Sequence, residues 1–173
     1  MGTNASRLTL PDLNTMSREE FAKALGGIFE HSPWVAEATY NARPFNSVDE
    51  LHRAMIETAR NAGTDTVLSL LRAHPDLATR LQVTPLSAAE QKGAGLDRLT
   101  PEEFEKLTDL NRRYTEKFQF PFILAVRGKN KDDIMDSITA RIQSTPEIEW
   151  ERALDEIGKI TRFRLVDLLG DEG

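Results

Sequence analysis

The chain of 173 residues contains no cysteine, which excludes disulfides, thiolate zinc sites, iron–sulfur ligation and a cysteine nucleophile together. Its longest near-apolar run, Phe120–Val126, falls far short of the ~20 residues a membrane span requires. Basic charge is in deficit: the formal net charge is −6, whereas nucleic-acid binders carry a basic domain or stripe. A charged n-region followed by an apolar h-region is missing, so no secretory signal is expected. Hairpin dipeptides and βαβ alternation are lacking. So are a Gly-rich phosphate loop, a dinucleotide fingerprint, a nucleophile elbow and a His-Glu-x-x-His helix. The three histidines, His31, His52 and His74, stand about 21 residues apart, without metal-ligand spacing. These absences lead us to expect a cytoplasmic globular protein with no membrane partner, no nucleic-acid partner and no metal. Any catalysis would rest on ordinary side chains and no cofactor.

What is present is dense helix punctuation. Ser17, Ser47, Ser87 and Thr100 are each followed three residues later by Glu, the pattern of a capping box. Pro33, Pro101 and Pro146 suit a first helical position, where a missing N–H is harmless. Apolar stripes run behind these starts at helical spacing, such as Phe21, Leu25, Ile28 and Phe29, or Leu51, Met55, Ile56 and Ala59. Helices are predicted over 17–30, 34–42, 48–61, 65–73, 88–93, 101–118, 131–144 and 147–169. Pro121 breaks that pattern and pushes Phe120 extended, so a short buried strand or extended segment is expected near 119–126. The expectation is an all-α, single compact multi-helix domain over 17–169. A polar lead-in (1–16) and a short tail (170–173) flank it.

Three places could carry chemistry. His74 follows the run Val67-Leu68-Ser69-Leu70-Leu71 and precedes Pro75, so its imidazole should top a helix C-terminus. It either satisfies last-turn carbonyls there or acts as a base. Glu90 either closes a capping box on Ser87 or shares a polar face with Ser87, Gln91 and Ala94, which sit at i, i+3, i+4 and i+7. In the last helix, taking about 100° per residue from Arg164, Ile157 falls at about 20°, Leu154 at about 80° and Ile160 at about −40°. Arg164 is therefore centred in an apolar stripe, and a guanidinium is almost never buried alone. It pairs with an internal carboxylate or receives an anionic ligand. Arg162, at about 160°, should face solvent.

Six blocks in order resemble a known family. They are His31-Ser32-Pro33-Trp34-Val35, Arg43-Pro44-Phe45, His74-Pro75-Asp76-Leu77, Ser87-x-x-Glu90-Gln91-x-x-Ala94-Gly95-Leu96, Asn111-x-x-Tyr114-x-x-Lys117-Phe118-x-Phe120-Pro121-Phe122-Ile123 and Phe163-Arg164-Leu165. Together they resemble the 2-oxo-4-hydroxy-4-carboxy-5-ureidoimidazoline (OHCU) decarboxylases of urate degradation. The resemblance implies an all-helical fold and a cofactor-free decarboxylation giving (S)-allantoin. By motif, His74 would be the catalytic histidine and Glu90 its acidic partner. Ser87, Gln91 and Arg164 would hold the substrate, Pro75 would shape the pocket, and main-chain groups around Phe122 and Ile123 would read the ring. The resemblance also implies a small ureide substrate and a functional link or fusion to urate oxidase, and an isologous homodimer is the commonest oligomer of such proteins. From the residues alone two alternatives stay open: a non-catalytic helical interaction module, and a hydrolase or tautomerase acting on a related ureide.

Overall fold

The computed structural model describes residues 8–78 and 85–170. Among them lie nine α-helices and no strand: α1 (Leu10–Thr15), α2 (Arg18–Leu25), α3 (Trp34–Thr39), α4 (Val48–Arg60), α5 (Thr64–Arg72), α6 (Pro85–Gly93), α7 (Pro101–Phe118), α8 (Lys131–Ile142) and α9 (Pro146–Leu169). Short 3-10 turns cover Tyr40–Ala42 and Leu96–Arg98. The all-α expectation holds. No helix among the described residues is long and apolar enough to cross a membrane.

The caps explain most of the boundaries. Ser17 and Thr100 close full boxes with Glu20 and Glu103, and Ser47 caps Glu50 N–H while the Glu50 carboxylate turns to Asn46 N–H at 3.1 Å. Two boxes escape the Ser/Thr-to-Glu pattern, Thr9 with Asp12 and Asn130 with Asp133, because Asp at the third helical position replaces Glu. Pro101 and Pro146 open their helices as expected, whereas Pro33 stands one residue before α3. Within the lead-in, α1 makes Leu10–Thr15 helical. Residues 1–7 and most of the tail lie outside the described residues.

By internal packing the chain divides into two units, Met1–Val67 with Gly158–Gly173, and Leu68–Ile157. In the first, Leu13, Phe21, Leu25, Val35, Leu51, Met55 and Leu165 are buried. The Arg43 guanidinium lies 3.7 Å from the Tyr40 ring centre and donates to the carbonyls of Leu13 (3.1 Å) and Met16 (2.8 Å). The Asn14 amide exchanges two 2.8 Å hydrogen bonds with the Phe45 main chain. His52 meets Thr161 Oγ1 at 3.0 Å. Arg162, expected to face solvent, is half-buried and ion-paired with Asp49.

The second unit packs α7 on α8 around Leu107, Tyr114, Ile134 and Ile138, all fully buried. Tyr114 sits among Phe118, Phe120 and Phe122, with ring centres 4.5–6.1 Å apart. The stretch 120–126 is buried throughout and has no regular secondary structure, so the extended-segment expectation holds and the strand does not form.

Candidate active site

In the second unit the chain turns out of α5 at His74, whose N–H bonds Leu71 O at 3.2 Å. The ring comes back over the last turn, placing Nδ1 3.0 Å from Leu70 O. A carbonyl only accepts, so Nδ1 must carry the proton. In a neutral imidazole the basic lone pair then belongs to Nε2. Half-buried Pro75 comes next, and two side chains hold the loop beyond it. The Asn111 amide donates to Leu77 O at 3.1 Å, and Ala78 N–H donates to Gln91 Oε1 at 2.8 Å. Ala78 has φ +61°, a left-handed conformation that an L-residue adopts only under such constraint. In the sequence Asn111 figures only as part of a motif. Its signal is a small amide one helical turn before the buried Tyr114 on the inner face of α7.

Helix α6 begins at Pro85, three residues ahead of the expected start. Ser87 is thus the third helical residue and buried, and it is not an N-cap. The capping-box reading of Ser87 and Glu90 is overturned, since Ser87 itself lies inside the helix. The periodic face survives. Ser87 and Ala94 are buried, Glu90 and Gln91 half-buried, and Ala88, Ala89, Lys92 and Gly93 exposed. Ser87, Glu90 and Gln91 therefore face protein from one side of a single helix. Gln91 has its amide oxygen committed to the loop after His74, which leaves its NH2 as the donating end.

The stretch containing Phe122 and Ile123 is held by side chains in place of a neighbouring strand. Arg141 Nη1 donates to Ile123 O at 2.8 Å, and Ala125 N–H donates to Glu156 Oε1 at 2.8 Å. The Arg141 guanidinium carbon also lies 4.6 Å from the Phe122 ring centre. Arg141 Nε pairs with Glu149 Oε1 at 2.7 Å, the two side chains being 5% and 0% exposed. The Tyr114 hydroxyl donates to the same oxygen at 2.7 Å. Burial, and then the hydrogen bond to Glu149, raise the Tyr114 hydroxyl well above its ordinary value. Sequence reasoning misses Arg141 and Glu149, although a signal exists. Arg141 stands seven residues after Ile134 and three after Ile138, and Glu149 falls at about −60° on the α9 wheel, beside Ile160.

Arg164 belongs to the first unit and is buried, as its place in the apolar stripe requires. Of the two readings, the structure shows the internal carboxylate. Nη1 lies 3.1 Å from Glu30 Oε1, with side chains 3% and 0% exposed, and donates to Ile28 O at 3.2 Å and Gly27 O at 3.4 Å. The other histidines divide cleanly. His31 is exposed, at φ +50°, and sits in the turn after α2, not at a helix end. Half-buried His52 is held below its ordinary value of 6.5, mainly by burial.

Residues 14–166 match the model of the OHCU decarboxylase family. The chain belongs to that family. It is 43% identical over 163 residues to the 2-oxo-4-hydroxy-4-carboxy-5-ureidoimidazoline decarboxylase of Halalkalicoccus jeotgali, covering 94% of this chain and 93% of that protein. It is 44% identical over 165 residues to the uric acid degradation bifunctional protein PucL of Bacillus subtilis, covering 95% of this chain but 33% of that protein. The crystal structure of (S)-allantoin synthase superposes with a TM-score of 0.75 at 34% identity, over 94% of this chain and 54% of that one. As an OHCU decarboxylase family member the chain is a carboxy-lyase, and the interaction module considered from the sequence falls away. All six motif blocks lie inside the matched span, while most of α1 precedes it.

Proposed function

We propose that this chain converts OHCU to (S)-allantoin and CO2 in urate degradation, with Nε2 of neutral His74 as the base. The observation that carries the assignment is the 3.0 Å contact between His74 Nδ1 and Leu70 O, which holds the ring in the tautomer that a base at Nε2 needs. The substrate bears a carboxylate and a hydroxyl on one ring carbon beside a C=N carbon. As CO2 leaves, its bonding electrons form a carbon–carbon double bond and the C=N pair moves to nitrogen, which takes a proton. Nε2 receives the hydroxyl proton, and a proton delivered to one face of the neighbouring carbon gives a single enantiomer. The C=N group thus serves as the electron sink that a cofactor provides elsewhere. A histidine general base contributes typically about 10²–10⁴-fold.

Glu90, one helical turn after Ser87 on the inward face of α6, steers the ring as the acidic partner. Ser87 and the Gln91 NH2 hold the substrate, Pro75 shapes the wall, and main-chain groups at Phe122 and Ile123 read the ureide. The motif Phe163-Arg164-Leu165 assigns Arg164 to an anionic edge, for which a guanidinium fork is suited. The bifunctional relative supports a working link to urate oxidase, and a homodimer in the cytoplasm completes the proposal.

Circular dichroism of freshly generated OHCU tests it. Wild-type protein should speed its loss and give one handed product, and His74→Gln should slow turnover about 10²–10⁴-fold while keeping the fold. Decay at the buffer rate to racemic allantoin would remove the activity. Near-native turnover by His74→Gln would remove the base.

A further inference from the structure

A buried ion pair is a poor way to stabilise a fold. Desolvation offsets most of the attraction, and apolar residues of similar volume often serve as well or better. The second unit nevertheless buries Arg141 and Glu149 together with the Tyr114 hydroxyl, and leaves Glu149 Oε2 without a hydrogen-bond partner. Such a cluster calls for a use other than stability.

Its geometry supplies one. Stretch 120–126 is buried without a strand beside it, so its main-chain groups need side-chain partners. Arg141 gives one nitrogen to Ile123 O, another to Glu149, and its flat face to Phe122. Glu149 Oε1 in turn is fixed from a second side by Tyr114. The guanidinium is thereby pinned in position and orientation, and the Ile123 peptide is pinned with it. A lysine has no planar fork and could not hold both partners in this arrangement.

We propose that Arg141, Glu149 and Tyr114 are positioning residues that set the main-chain geometry of Phe122–Ile123 for substrate recognition. The inference rests on the reading that this stretch meets the substrate. The cluster acts through the backbone and touches no reacting atom, so its loss weakens binding and spares the chemical step.

Two measurements separate the inference from the reading beneath it. Titrating the wild-type protein with (S)-allantoin while following backbone amide resonances should shift Phe122 and Ile123. Silence at both amides would remove the reading and the inference with it. Steady-state kinetics then test the cluster. Arg141→Lys should raise KM about tenfold with kcat within about twofold, the signature of lost uniform binding. Tyr114→Phe, which deletes one oxygen and leaves Arg141 on Ile123, should raise KM by less than Arg141→Lys, and it decides the matter if the lysine variant does not fold. Amide shifts in the wild type combined with unchanged KM in the folded variants would overturn the positioning role alone. A fall in kcat at constant KM would overturn it too.

Discussion

The pairing of Arg164 with Glu30 makes a quantitative forecast. Both side chains are essentially inaccessible, at 3% and 0% exposure, so replacing Glu30 by alanine takes a carboxylate away from a buried guanidinium. The carbonyls of Ile28 and Gly27 remain on Nη1 at 3.2 and 3.4 Å, but neutral acceptors do not replace a carboxylate. Breaking such a buried pair typically costs about 3–5 kcal/mol. For a chain of this size about 2–4 °C of Tm accompanies each kcal/mol, so Glu30→Ala should melt roughly 6–20 °C below wild type. The double variant Glu30→Leu with Arg164→Met removes both charges at once and should return to within about 1 kcal/mol of wild type. That recovered fold is the proper background for asking what Arg164 does for the substrate. If Arg164 holds the substrate as proposed, KM should rise about 10- to 150-fold, the worth of a hydrogen bond to a charged group. Urea and thermal unfolding followed by circular dichroism measure the first part, and initial rates on OHCU the second. A Glu30→Ala loss below about 1 kcal/mol would refute the reasoning about the buried pair. An unchanged KM in the double variant would make Arg164 a purely structural residue.

Three further outcomes are expected. Burial holds His52 below 6.5, so the unfolded chain takes up a proton that the folded one resists. The stability this gives above 6.5 is lost as pH falls from there toward the depressed value. Urea midpoints of wild type and His52→Gln at about pH 7.5 and 5.5 should show a smaller acid-side loss in the variant, and parallel losses would contradict the shift. Asn111→Leu leaves Leu77 O without its donor but also removes Asn111 Oδ1, a buried oxygen with no partner. It should therefore destabilise by less than Asn111→Asp, which sets a carboxylate against that carbonyl; chemical denaturation of the two variants ranks them. Asn130→Ala, which opens the box at the start of α8, should lower stability by about 0.5–2 kcal/mol, read from the chemical-denaturation midpoint.

How far the sequence can be read depends on whether the deciding contact is local. Helix α7 is predicted over 101–118 and found over Pro101–Phe118, because Thr100, Pro101 and Glu103 mark its start and Pro121 bars any extension of the helix. Helix α2 is predicted to reach residue 30 and stops at Leu25. Its stripe continues through Ile28 and Phe29, which are buried from the turn beyond the Gly26-Gly27 pair. The burial of Arg164 is legible in its angle on α9, but its partner Glu30 lies far away in the chain and periodicity cannot name it. Arg141 and Glu149 are hidden for the same reason, being two polar residues in apolar stripes of different helices. For Ser87 and Glu90 the local signal misleads, since Pro85 is already helical and puts Ser87 inside the helix, where it cannot cap. The motif blocks place the family correctly because order along the chain carries information that single spacings do not.

The short helix α1 bears on modularity. Leu13 is fully buried, Asn14 completes the main chain of Phe45, and the carbonyls of Leu13 and Met16 cap the Arg43 guanidinium. This stretch is thus a built-in part of the first unit and cannot act as a detachable spacer. A junction cut between Met16 and Ser17 would expose an apolar seat, take two carbonyl acceptors from the Arg43 guanidinium and leave the Phe45 main chain without the Asn14 amide. In a two-enzyme architecture, whether evolved or engineered, any joint made on the N-terminal side has to leave α1 and its Thr9 cap intact.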